Sequence, residues 1–154
     1  MHAVNSSIFF PIFNAQSWLS EPSKLRLLRF KGYTDLTLYA SQGSPALLPG
    51  EITAYEPARK SDPAQTSWAG IFKRLFAHGD DGHAIKFGRA VANAENIVRG
   101  YECEAWTRFK GGMWLTAGNM VADSVEAPAP GSKWARSVGF EEAWEEFEER
   151  PGKK

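Results

Sequence analysis

Apolar residues along this chain recur at spacings of three and four, and no stretch sustains a two-residue alternation, so helices are expected almost throughout. Residues 2–10 form a short apolar segment that reads as a helix or turn limited by Pro11. Ser20-Glu-Pro-Ser23 is a helix start, with Ser20 as N-cap and Pro22 in the first turn, where its missing amide hydrogen costs nothing. Leu25, Leu28, Leu36 and Tyr39 continue a roughly helical stripe, weakened in its middle by Gly32 and closed by Gly43 and Pro45. Pro49 to Tyr55 adds a turn or two, and Glu56 to Pro63 is a polar, proline-bounded loop.

The clearest pattern follows. Thr66 is placed to cap a helix in which Trp68, Ile71, Phe72, Leu75 and Phe76 form one apolar face, with Lys73 and Arg74 opposite. Gly79 ends it. The next helix opens at Asp80 or Asp81, because either carboxylate can accept from unpaired first-turn amides at the positive end of the helix dipole. It runs to about Arg99, with Gly100 as the C′ residue. Ala84, Gly88 and Ala92, four apart, give this helix a side with almost no bulk, against which another helix can pack closely. Met113 to Val125 predicts a further helix, Ala127 to Gly131 a spacer, and Phe140 to Glu149 a final acidic helix carrying Trp144 and Phe147. The expected fold is all-α, a bundle-like array of about six helices. Residues 1–150 form a single domain and 151–154 a frayed tail.

Composition narrows the partners. The 154 residues suffice for one domain with a core, and 18 basic residues balance 18 acidic ones. Bulk electrostatics therefore predict no nucleic acid and no anionic membrane as partner. No apolar run reaches the length of a membrane span, and the first residues lack the basic and apolar regions of a secretory leader. A cytoplasmic address follows by default, and the single cysteine, Cys103, agrees with a reducing compartment. Six Trp and ten Phe point to much apolar surface to bury, or to a flat hydrophobic ligand. There is no G-x-G-x-x-G after a strand and no G-x-S-x-G elbow, so neither a dinucleotide fold nor a serine hydrolase is indicated.

The run from His78 to Arg89 concentrates the candidate chemistry. It holds two of the three histidines together with Asp80, Asp81, Lys86 and Arg89. In a helix that begins at the aspartates, His83 and Lys86 lie three apart on the same face. His83 is either a reactive imidazole or a polar first-turn residue beside a cap. His78, at the end of the preceding helix, is explained by capping the last carbonyls. Arg89 and Glu95 suit surface or supporting pairs rather than catalysis. Met113, Trp114 and Met120 either line a pocket for a planar aromatic substrate or form the core face of an amphipathic helix. Asp123 and Ser124 carry no spacing signature of their own.

Several segments together resemble the questin oxidase-like family of fungal oxidoreductases. They are His2-Ala-Val-Asn-Ser-Ser-Ile, Lys24-Leu-Arg-Leu-Leu28, Asp35-Leu-Thr-Leu-Tyr-Ala40 and Asp80-Asp-Gly-His-Ala-Ile-Lys-Phe-Gly-Arg-Ala90. Gly112-Met-Trp-Leu115, Asn119-Met-Val-Ala-Asp-Ser124 and Val138-Gly-Phe-Glu-Glu-Ala-Trp144 complete a collinear series over nearly the whole chain. Family proteins are much longer, and the match is to their C-terminal portion, which makes this chain a partial version of a larger α-helical enzyme.

The resemblance implies an oxidoreductase of fungal secondary metabolism that cleaves anthraquinone-type polyketide rings in Baeyer–Villiger-like or dioxygenase-like steps. It further implies a non-haem iron and NADPH as cofactors, with His2 and His83 as metal ligands through neutral imidazole nitrogens. Lys86 joins them only if burial frees its amine, as a base or as a carbamate whose oxygens reach a metal, since an ammonium has no lone pair. Trp114 and Met113 are then the substrate-binding residues. The alternative is a catalytically incomplete helical binding or interaction domain, which associates with itself or with the absent N-terminal half.

Overall fold

The computed structural model of the chain describes residues 1–59, 62–127, 135 and 137–148. Among these residues there are seven α-helices and no strand, in agreement with an all-α fold. No helix among them is long and apolar enough to cross a membrane.

The core lies where α5 (Trp68–Ala77), α6 (His83–Val98) and α7 (Met113–Glu126) meet. Ile71, Leu75, Ala84, Val121, Ala122 and Val125 are buried at its centre, and Trp68, Phe72, Ile85, Phe87 and Leu115 pack around them. The small side of α6 does what its spacing predicts. Ala84 and Gly88 are both buried, and a Cβ built on Gly88 falls 2.4 Å from Leu75 Cδ1. Gly118 of α7 plays the matching part, its α-carbon covered by the Trp68 indole. Glycines at these two contacts let three helices approach until their large side chains interlock.

Two residues of α5 depart from the expected pattern. Phe76 is 74% exposed, although it continues the apolar spacing. Arg74 is buried rather than on the outer side. It stands three residues after Ile71, so it shares that residue's side of the helix, and α7 covers this side.

Helix ends also differ from expectation. Ser67, not Thr66, caps α5 by accepting from the Gly70 amide at 3.2 Å. Thr66 instead closes a 3₁₀ turn over Pro63–Thr66 and donates to the Pro63 carbonyl. Gly100 sits inside a 3₁₀ turn (Arg99–Tyr101) that extends α6 rather than ending it. Pro11 does not stop the first segment: α1 (His2–Ser7) is followed by α2 (Phe10–Asn14), with Pro11 in the first turn of α2. The expected acidic helix shortens to one 3₁₀ turn, Glu141–Trp144, and Glu149 lies outside the described residues. Glu141/Glu145 and Glu142/Glu146 would repel at i,i+4 in an α-helix, and one short isolated segment cannot overcome that. Most of the expected 127–131 spacer and the whole 151–154 tail also fall outside the described residues.

The long helix α3 (Glu21–Ser41) starts as its sequence predicts, with Ser20 accepting from the Ser23 amide, and runs unbroken through Gly32. One glycine costs only about 1 kcal/mol in a helix. The Lys31–Asp35 pair and the Thr34 hydroxyl, bonded to the Phe30 carbonyl, span that position. None of its residues is buried. Leu25, Phe30, Tyr33 and Leu36 stand at least half exposed. A short helix, α4 (Pro49–Thr53), leans on α7.

Residues after α7 return to the end of α3. The Gly139 amide donates to Gln42 O at 2.8 Å, and the Ser137 amide donates to the Gln42 side chain at 2.7 Å. Gly43 adopts φ +81°, and a Cβ on Gly139 would lie 2.5 Å from Gly43 O and 2.6 Å from Gln42 O. Both are backbone atoms that cannot swing aside. Gly139→Ala is therefore expected to release residues 137–147 from α3, read as a red shift of Trp144 emission with nearly unchanged far-ultraviolet dichroism.

Candidate functional site

The N-terminus of α6 is built by a division of labour between adjacent aspartates. Asp80 accepts from the Gly82 amide at 2.7 Å through one oxygen and from the Ala84 amide at 2.9 Å through the other. It is the cap. Gly82 takes φ +86°, a left-handed conformation that suits glycine, and so turns the chain into the helix. Asp81 is left for another partner. Its Oδ1 meets His83 Nδ1 in a short hydrogen bond and also accepts from the His83 amide at 3.3 Å. That hydrogen bond, with a smaller contribution from the Lys86 charge, holds the Asp81 carboxyl below its ordinary range. A carboxyl with a lowered pKa adds stability above its ordinary value, which is lost as pH falls through the lowered one. Asp80→Ala is expected to cost about 1 kcal/mol, as caps do, measured by urea unfolding.

His2 comes to this point from another element. Helix α1 lies against α6, and the His2 and His83 rings stand edge to face with centroids 6.3 Å apart and planes at 88°. Lys31 of α3 ties α1 down by donating to the Ala3 carbonyl at 2.9 Å. Lys86 follows His83 by one turn and is half-buried. The structure thus brings together His2, His83 and Asp81, with Lys86 adjacent.

The other candidates fall elsewhere. His78 ends α5, its amide donating to the Leu75 carbonyl at 3.3 Å. Glu95 accepts from Trp68 Nε1 at 2.5 Å and pairs with Arg99 at 3.5 Å, while Arg89 is exposed. Trp114 is buried against Phe109, ring centroids 4.5 Å apart, and its Nε1 finds no partner among the described residues. Met113 is half-buried at the first position of α7.

Two features had no clear signal in the sequence. One is a mostly apolar cleft of about 420 Å³ between the α1–α2 junction and the C-terminal half of α6, lined by Phe10, Pro11, Ile97 and Val98 among others. It lies three to four turns along α6 from His83, roughly 16–22 Å at 1.5 Å per residue. None of its lining residues carries an ionisable side chain. The other is the buried network around Arg74. Its guanidinium reaches Asp123, Glu126 at 2.8 Å and Asn119 at 3.2 Å, and Asp123 also accepts from the Tyr55 hydroxyl and the Ala58 amide. These bonds, first among them that from Glu126, raise the Arg74 pKa further and keep it charged. The network ties α5 and the 55–59 loop to α7, which is a structural task.

A non-haem iron(II) centre typically takes two histidines and a carboxylate with open positions. Among the described residues no three His, Cys, Asp or Glu side chains are arranged to hold a metal ion. Two imidazoles face each other here, and the nearby carboxylate is bonded to one of them. The described residues therefore do not complete an iron site by themselves.

Comparison with known proteins places the chain. A family model described as questin oxidase-like matches residues 1–91. The Baeyer–Villiger monooxygenase AacuH of Aspergillus aculeatus is 37% identical over 149 residues, covering 94% of this chain and 30% of its own length. The chain belongs to the questin oxidase-like family. The oxidoreductase AflY of Aspergillus parasiticus is 33% identical over 174 residues, with 96% of this chain and 34% of its own length covered. The questin oxidase of Aspergillus fumigatus is 32% identical over 148 residues, with 94% and 32% covered. This questin oxidase-like chain thus spans about a third of the length of the curated relatives it matches. The matched region contains both His2 and His83, one from each end.

Proposed function

We propose that this chain forms part of an oxidoreductase that opens an anthraquinone-type polyketide ring in a Baeyer–Villiger-like or dioxygenase-like step. The observation that carries this reading is the meeting of His2 and His83, from two helices at opposite ends of the family-matched region, beside Asp81. Names of relatives such as Baeyer–Villiger monooxygenase and questin oxidase supply the reaction class. His83 is the proposed reactive imidazole, His2 its neighbour, and Lys86, half-buried one turn on, the proposed base or carbamate donor. Trp114, buried against Phe109, and Met113 lie away from this group and are left out of the proposed centre. Iron and NADPH belong to the proposal as requirements of the family-length system, any iron drawing further donors from outside the described residues.

Incubating the chain with a hydroxyanthraquinone, oxygen, NADPH and iron(II) tests the proposal. A product that gains labelled oxygen is expected, and His83→Ala should lower its formation at least 100-fold, the lower bound for loss of a proton-transfer group. Full turnover by His83→Ala would refute the assignment. Lys86→Ala with full metal content and turnover would remove Lys86 from it.

A second reading is favoured by α3. A 21-residue helix with no buried residue and exposed Leu25, Phe30, Tyr33 and Leu36 fits a domain made to be covered, by another copy or by the rest of a family-length polypeptide. On that reading the chain binds the anthraquinone, seen as quenching of tryptophan emission, without converting it.

A further inference from the structure

We infer that Asp81 is the positioning residue of His83: it fixes the neutral imidazole with its proton on Nδ1 and leaves Nε2 with the free lone pair. This goes beyond the proposed function, which needs a reactive His83 but says nothing of what orients it, and it rests on that reading. The two aspartates carry the argument. Asp80 spends one oxygen on the Gly82 amide and the other on the Ala84 amide, so it holds the turn into the helix and has no oxygen turned to the ring. Asp81 turns to the ring instead, one oxygen bonded to Nδ1 and also accepting from the His83 amide. An ionised carboxylate can only accept, so the shared hydrogen must sit on Nδ1. The hydrogen bond made by one ring nitrogen decides which other nitrogen is free. His2 stands across the His83 ring from a different helix, so the oriented imidazole faces a second titratable group rather than open solvent alone. Either use of His83, accepting a proton or donating its lone pair to a metal, requires Nε2 to be free. Removing such a supporting carboxylate typically lowers affinity or activity by about 10- to 100-fold.

Nitrogen-15 NMR of selectively labelled histidine tests this at about pH 8.5, some two units above the ordinary imidazole value. The expected wild-type signature for His83 is a protonated Nδ1 and an unprotonated Nε2. Asp81→Ala should shift it to a mixture of tautomers, whereas Asp80→Ala, which loses only the cap, should leave it unchanged. Asp81→Ala should also reduce His83-dependent turnover by roughly 10- to 100-fold, with partial recovery in Asp81→Glu. A wild-type signature with the proton on Nε2, or one unaltered in Asp81→Ala, overturns the inference whatever the kinetics show. A tautomer shift with turnover intact in both Asp81→Ala and His83→Ala overturns the reactive-centre reading instead, and reduces Asp81–His83 to a surface pair.

Discussion

Arg74→Met is expected to destabilise the fold by about 3–5 kcal/mol, seen as a lower midpoint of urea unfolding followed by far-ultraviolet dichroism. The size follows from what remains rather than from what is removed. The Arg74 side chain is 4% exposed and that of Asp123 only 7%, so methionine leaves a carboxylate buried without its cation. Asn119 loses a donor to its side-chain oxygen, and among the described residues Glu126 is left with the half-exposed Arg59 at 3.0 Å. Arg74→Lys should recover only part of the loss. An ammonium cannot reproduce the planar fork that serves Asp123, Glu126 and Asn119 together. The double variant Arg74→Met/Asp123→Leu should be more stable than Arg74→Met alone, because the stranded charge is gone. It should still fall below the parent, since the Tyr55 hydroxyl and the Ala58 amide then lose their acceptor.

Gly118→Leu is the second large effect, about 3 kcal/mol at the upper end of the usual overpacking range. A Cβ at this position lies 2.5 Å from Trp68 Cζ3, 2.7 Å from Cη2 and 3.1 Å from Ile71 Cδ1. The indole is not free to yield, because its Nε1 donates to Glu95 at 2.5 Å on α6. Any escape of the ring breaks that bond or opens the α5–α7 seam. Gly118→Ala sets two effects against each other. Alanine gains about 1 kcal/mol of helix propensity, and the clash removes more than that. A net loss of about 1 kcal/mol is expected, and the loss should shrink in a Trp68→Phe background, which removes the crowding ring atoms. A Gly118→Ala variant more stable than the parent would show that the indole moves easily.

Much of the fold was legible along the chain, and for identifiable reasons. Ser20-Glu-Pro-Ser23 carries its own helix start, since cap and proline act within one turn. The Ala84/Gly88 side of α6 announced a close helix contact because absence of bulk is visible at helical spacing. His83 drew attention through its neighbours, and family motifs linked it to His2. Phe76 and Arg74 misled, because spacing gives the direction of a side chain but not which direction is covered. Asp80 and Asp81 were interchangeable as candidate caps, and only the turn at Gly82 assigned one to the helix and the other to His83.

The sequence by itself determined the helical class, most helix positions and the family, because periodicity, caps and collinear motifs are local or can be compared residue by residue. Tertiary structure decided which residues meet. It turned Arg74 inward onto Asp123, brought His2 against His83, and set a cleft along α6. Such contacts depend on how α1, α5, α6 and α7 are placed in space, and no period along a single helix encodes that.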